Sequence, residues 1–237
     1  MFWQVLFPST DPTIWVKISN GQVFSYTPSV MLWLFVFLGL LFSITVHEFA
    51  HAWSAHKLGD DTAKVNDRMN LNPLKHFDVL GFLLITFTYF GYGKPVPVNH
   101  GNFQNPVQGL MFVSLAGPVS NILQSVLYAV GFIVLSQFSF PSTTVGEVLA
   151  TLVYALPFIG MFNISLALFN LLPIYPLDGS KIWGYLHPTI NRIIDQFFIP
   201  YAPLIIMALI IPFFGNSSLL GILFSPFTSL YRSILGF

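Results

Sequence analysis

An apolar run over residues 30–58 carries His47, Glu48 and His51 in its second half, and this is the feature that most constrains the chain. As a helix rising about 1.5 Å per residue, such a run is long enough to cross a hydrocarbon core of about 30 Å. Ionisable groups at that depth cost about 2.5–3.5 kcal/mol each on insertion scales, so three within five residues point to a function. The spacing suggests which one. His47 and His51 stand four apart, about 40° round a helix, and both imidazoles can reach one metal ion. Glu48 lies about 100° from His47, near enough to hold a water on that metal.

Composition agrees with a membrane protein. Charged residues make up 8% of the 237 and hydrophobic ones 54%, against about 25% charged in soluble domains. The formal net charge is zero, so nothing points to nucleic acid. There is no cysteine, which removes disulfides, thiol nucleophiles and Cys-ligated zinc together. Any metal must be held by histidine and carboxylate.

Along the chain, residues 1–28 do not span, because Pro8, Asp11 and Pro12 break the first apolar run. Asn20-Gly21, a hairpin turn pair, separates two short alternating stretches, so this extracytoplasmic N-terminal segment reads as a membrane-surface β-hairpin, either a cap or a substrate-pairing element. Spans are expected over 30–58, 107–138, 148–172, 197–214 and 219–235. The run 79–92 has only 14 residues, about 21 Å as a helix, too short to cross comfortably. The stretch after it, with Lys94, Pro95, Val96, Pro97 and Val98, is too rich in proline for a helix and reads as extended backbone. The fold expected is therefore an all-α polytopic membrane protein of about five spanning helices, with a re-entrant segment and small membrane-associated β elements. Its parts are the N-terminal segment, a core over 29–196 and C-terminal membrane segments over 197–237.

Charge placement supports the re-entrant reading. If 79–92 does not cross, Lys57, Lys64, Arg68, Lys75 and Lys94 share one side, joined by Lys181, Arg192 and, if both late segments cross, Arg232. Only Lys17 lies opposite. The positive-inside bias makes the crowded side cytoplasmic and the N-terminus extracytoplasmic, in a multi-pass protein of the cell membrane. The same topology brings Asp178, the only carboxylate between Glu147 and Asp195, to the depth of His51. Two histidines, one carboxylate and an open water position form a common catalytic zinc set.

His47-Glu48-Phe49-Ala50-His51, followed much later by Asn170-Leu171-Leu172-Pro173-Ile174-Tyr175-Pro176-Leu177-Asp178-Gly179, resembles the site-2 protease family of intramembrane zinc metalloproteases. Asn70-Leu71-Asn72-Pro73, Gly93-Lys94-Pro95-Val96-Pro97-Val98-Asn99 and Ala116-Gly117-Pro118-Val119-Ser120-Asn121 resemble its short prokaryotic branch, without PDZ or CBS domains. The resemblance covers about residues 30–185. It departs at Ser180, where the family commonly has a second glycine.

The resemblance implies a Zn2+ cofactor on His47, His51 and Asp178, and Glu48 as general base. It also implies Asn170 as a donor to substrate or oxyanion, with an interhelical hydrogen bond as the other reading. The expected partners are the lipid bilayer and membrane proteins with a single transmembrane helix. Residues 94–98 can hold an unwound substrate as an added strand, or form a rigid loop under the first span. His56 reads as interfacial, and His76, His100 and His187 as solvated loop residues. Asn121 reads as a helix–helix hydrogen bond or as an orienting group for the site. Two other functions compete: a membrane metal or ion transporter, which the absence of inverted repeats disfavours, and an inactive binder of membrane helices.

Overall fold

Long apolar runs in lipid must satisfy their own backbone, and helices do so within one segment. The computed structural model describes residues 14–17, 23–26, 30–76, 78, 93–211 and 218–236. Its long helices are α1 (Val30–Lys57), α4 (Pro106–Leu135) and α5 (Thr144–Asn170). Between α1 and α4 lie two single α-helical turns, α2 (Thr62–Val65) and α3 (Pro73–His76), and a 3-10 turn over His100–Asn102. After α5 come α6 (Asp178–Leu186), α7 (Pro188–Ile193), a π-helical turn over Ile194–Phe198, α8 (Ile199–Ile210) and α9 (Leu219–Leu235). Two short strands, β1 (Ile14–Lys17) and β2 (Val23–Tyr26), pair antiparallel with Ile14 opposite Tyr26 and Lys17 opposite Val23. The Asn20-Gly21 turn lies outside the described residues.

The helix ends follow from local chemistry. Asn105 caps α4 by accepting from the Gln108 N–H at 3.2 Å, with Pro106 in the first turn. Thr143 caps α5 through the Gly146 N–H at 3.2 Å. Helix α1 stops where Gly59 takes φ +100 and the Asp60 N–H closes back on Ala55 O at 2.9 Å.

Contacts fix how the three long helices run. Gly39 of α1 lies against Ile159 of α5, and Ser43 meets Asn163 four residues on, so α1 and α5 are parallel. Gln124, Asn121 and Val113 of α4 meet Ser43, His47 and His51 in turn, so α4 runs antiparallel to both. The C-terminal ends of α1 and α5 therefore share one end of the bundle, the near end, with the start of α4. Residues 58–105 leave and return at that end. Within them, the Lys94 N–H donates to His76 O at 2.8 Å, so the chain enters and leaves 77–93 at one point. The expected re-entrant segment 79–92 itself lies outside the described residues.

The C-terminal part differs from expectation. Among the described residues, three helices (α1, α4 and α5) are long and apolar enough to cross a membrane, or four if the bent pair Thr189–Ala202 and Leu204–Ile210 counts as one. That pair turns by 76° at Pro203, inside α8, where the proline has no N–H for an intrahelical bond. The end of α8 consequently stays at the near end, where Ile206, Leu209 and Ile210 pack with Leu172 and Leu177 around Phe169, Leu220 and Phe224. Helix α9 starts there and runs to the far end, where Tyr231 and Leu235 join Ala129, Phe132 and Val153. Arg232 thus goes with the far end, opposite Lys181 and Arg192, rather than joining them.

Candidate metal centre

His47 and His51 occupy successive turns of α1, facing α4. Their Nε2 atoms are 3.0 Å apart. Asp178, the first residue of α6, brings Oδ2 to 3.3 Å from His47 Nε2 and 3.2 Å from His51 Nε2. Four ligands at about 2.0 Å around a tetrahedral metal would stand about 3.3 Å from one another. The three donors thus form one face of a zinc-sized tetrahedron, and among the described residues they are the one group of this kind that could hold a metal ion. Two imidazoles and a carboxylate suit zinc chemically.

Each imidazole is held from behind. His51 Nδ1 donates to Val113 O at 2.7 Å, and His47 Nδ1 lies 2.5 Å from Asn121 Oδ1. Both bonds place hydrogen on Nδ1 and leave Nε2 as the lone pair facing the donor triangle, the usual arrangement around a metal-bound histidine. Gly117 makes room for this, because a methyl group there would overlap both rings. The neighbouring Pro118 lies inside α4, at a position where its ring costs an intrahelical bond.

Asp178 arrives by a sharp reversal. After α5 the chain turns through residues 171–177, which include a cis Tyr175–Pro176 bond, and α6 folds back against α4. Gly179 lies so close to the Leu171 and Leu172 backbone that a side chain would collide. Trp183 Nε1 donates to Leu171 O at 2.8 Å and locks the reversal. Ser180, where the family pattern has glycine, is buried and returns its hydroxyl to Leu177 O at 2.7 Å.

Glu48 stands beside the triangle. Its Oε2 accepts the Val96 N–H at 3.1 Å, so the proline-rich stretch runs directly past the carboxylate. Residues 93–99 contain no helix or turn. They are held by Lys94 N–H to His76 O, by Arg68 Nη2 to Lys94 O at 2.6 Å and by the Asn99 N–H to Asp60 Oδ2 at 2.7 Å. Pro95 and Pro97 are exposed, as is Lys94, while Val96 and Val98 are half-buried. His47, Glu48, His51 and Asp178 are each no more than 8% exposed, so reacting water has only a narrow approach.

Other sequence expectations divide between those that hold and those that are revised. His76 is buried, not solvated, with Nε2 bonded to Asn70 O at 2.9 Å. His56 pairs with Asp61 at 2.5 Å, and His100 and His187 are exposed. Asn170 Nδ2 donates within its own helix, to Leu166 O at 3.0 Å, in place of the interhelical bond that was one of its two readings. Asn121 does both things considered for it, accepting from His47 and donating to Asn163 Oδ1 at 2.8 Å. Asn163 and Asp60, both fully buried, were not singled out from sequence; a polar residue in an apolar run was the available signal for the first. Asp60 accepts from Thr62, Asn99 and Asn102. Burial pushes its carboxyl up, but these hydrogen bonds outweigh that and hold it below its ordinary value.

Comparison with known proteins agrees with the geometry. The sequence matches Peptidase family M50 over residues 35–213. It is 39% identical over 167 residues to "Putative zinc metalloprotease YwhC" of Bacillus subtilis, covering 67% of this chain and 71% of that one. It is 30% identical over 181 residues to "Putative zinc metalloprotease Rip2" of Mycolicibacterium smegmatis, covering 75% of this chain and 64% of that one. The chain thus spans about two thirds of the length of these relatives. No solved structure matches it. With its histidine–carboxylate triangle in place, the chain belongs to peptidase family M50, the site-2 protease family of zinc metalloproteases.

Proposed function

We propose that the protein is a zinc-dependent intramembrane endopeptidase that cleaves transmembrane segments of membrane proteins with a single spanning helix. One observation carries the reading: the His47, His51 and Asp178 donor triangle lies inside a bundle of three helices that are each long and apolar enough to cross a membrane. In this reading His47, His51 and Asp178 hold the zinc. When bound, the metal supplies Lewis acidity, polarising the scissile carbonyl and acidifying a water molecule. Glu48 takes the proton from that water and passes it to the departing amine. Asn170, at the end of α5, turns from Leu166 O toward the substrate carbonyl when substrate is present.

The 94–98 stretch receives the unwound substrate. In extended backbone, alternate residues direct their N–H and C=O groups to opposite sides. Pro95 and Pro97 have no N–H, so the edge they share is a poor pairing edge. Val96 and Val98 share the other, and Val96 already faces Glu48. On that edge the Lys94 groups and the Val96 N–H are already bonded to His76, Arg68 and Glu48, so a substrate strand pairs there with the Val96 carbonyl and with Val98, next to the base.

Orientation follows from charge. Lys57, Lys64, Arg68, Lys75, Lys94, Lys181 and Arg192 belong to the near end, against Lys17, ahead of α1, and Arg232 on the other side, so the site opens toward the cytoplasmic side of the cell membrane.

The test compares detergent-purified wild type with Glu48→Gln, measuring bound zinc and cleavage of a labelled single-span peptide in the same samples. Both proteins should hold about one zinc per chain. The variant should cut about 10²–10⁴-fold more slowly. A variant that cuts as fast as wild type removes Glu48 as the base. Zinc in both with no cleavage by either favours the transporter or inactive-binder reading. A folded wild type without zinc ends the ligand assignment.

A further inference from the structure

A buried chain of side chains runs from α1 through α5 and α4 and back to α1, ending on His47. It starts at groups whose polarity is not open to choice. Ile159 O and Gly39 O are backbone carbonyls and can only accept. Asn163 Nδ2 donates to Ile159 O at 2.8 Å and to Ser43 Oγ at 2.8 Å, while the Ser43 hydroxyl donates its one hydrogen to Gly39 O at 2.7 Å. The amide of Asn163 is therefore fixed, with Oδ1 toward α4. That oxygen accepts from Asn121 Nδ2 at 2.8 Å, which turns Asn121 Oδ1 to His47 Nδ1. Ser43, Asn121 and Asn163 are all fully buried, so water does not stand in for any member.

An unrestrained Asn121 presents either its oxygen or its NH₂ to His47, and only the oxygen demands hydrogen on Nδ1. We propose that Asn163 is a positioning residue for the metal centre: with Ser43 it sets the polarity of Asn121, and thereby the tautomer of His47 that directs a lone pair from Nε2 into the donor triangle. The proposal rests on the ligand assignment above. It adds a residue that touches neither metal nor substrate and lies 120 positions from Ser43 in sequence.

The test measures zinc affinity by chelator competition on the full chain in detergent, with the absorption spectrum of the cobalt(II)-substituted protein as a second readout. Asn163→Leu should weaken zinc about 10–100-fold, the range expected when a partner behind a metal-bound histidine is lost, and should broaden the cobalt spectrum. Adding Asn121→Asp to that variant should restore affinity. A carboxylate accepts through both oxygens and needs no neighbour to set its polarity. A role in helix packing alone predicts no such rescue, and its absence overturns the proposal, as does wild-type affinity in folded Asn163→Leu. Nitrogen-15 shifts of His47 in metal-free wild type give a check that needs no variant: an Nδ1 without hydrogen overturns the proposal even if Asn163→Leu does not fold. His47→Ala separates the two levels. If it binds zinc like wild type, the ligand assignment fails. If it loses zinc while Asn163→Leu does not, only the relay fails.

Discussion

At the scale of residues, the donor triangle depends on one position where nothing larger than hydrogen fits. A methyl group on Gly117 overlaps the rings of both His47 and His51, and neither ring is free to retreat because Asn121 and Val113 hold it from behind. Gly117→Ala should therefore weaken zinc by at least about tenfold while leaving the helix content measured by circular dichroism unchanged. Wild-type zinc affinity in that variant would show that the rings can shift without loss. The four groups at the centre were legible in sequence because two kinds of regularity expose them. His47, Glu48 and His51 obey the helical period, and Asp178 was the one carboxylate available at the right depth. Gly117, Asn163 and Asp60 follow no period. Their importance is created where helices or loops cross, and a single sequence does not show which residues meet there. Asn170 is marked by the family pattern, and the hydrogen bond it makes is to its own helix.

Among the elements, the proline-rich stretch 93–99 is the one with most to test. Val96 sits between two prolines, so replacing it by proline suits the local backbone while deleting the N–H that meets Glu48. Val96→Pro should lower cleavage at least about tenfold, while Val96→Ala, which keeps the N–H, should stay within about threefold of wild type. Equal effects from both would assign the position to side-chain packing. The stretch is anchored at its C-terminal residue, Asn99, by Asp60, whose carboxyl is held below its ordinary value because its hydrogen bonds outweigh burial. A depressed value means that the anchoring is fully present above the ordinary carboxylate range near about pH 4, and is lost as pH falls through the lower, folded value. Amide exchange at Asn99 should accordingly be flat from neutral pH down to about 4 after correction for intrinsic rate, then rise below it. In Asp60→Asn the step should vanish. Sequence showed that this stretch is extended, since prolines forbid a helix. It did not show that Asp60, Arg68 and His76 are its buried supports, because residues 60–76 look like an ordinary solvated loop until the partners of each are known.

For the whole molecule, the parallel pairing of α1 with α5 and the return of 58–105 to one end make a testable topology. The chain has no cysteine, so single cysteines can be introduced on a clean background. Cysteines replacing Asn66 and Thr189, exposed at the near end, should label from the cytoplasmic side of intact cells, and those replacing Ser142 and Ser233 from the outside. Labelling of Ser142 and Ser233 positions from opposite sides would mean that α9 does not run to the far end. The sequence reading missed this feature because apolar length alone made 197–214 a crossing. The 76° turn about Pro203, which keeps α8 at the near end, depends on where the helix rests as well as on the proline.

The separation of the ligands along the chain has a consequence for biosynthesis. Synthesis delivers His47 and His51 first, then Asn121, and only much later Asn163 and Asp178. A nascent chain with α1 and α4 inserted has two metal donors, lacks the third donor Asp178 and has an amide with nothing to orient it. Its hydrolytic chemistry is withheld until the last third of the polypeptide has been made and docked. A ribosome that stalls midway thus leaves an inert fragment in the membrane rather than a loose protease.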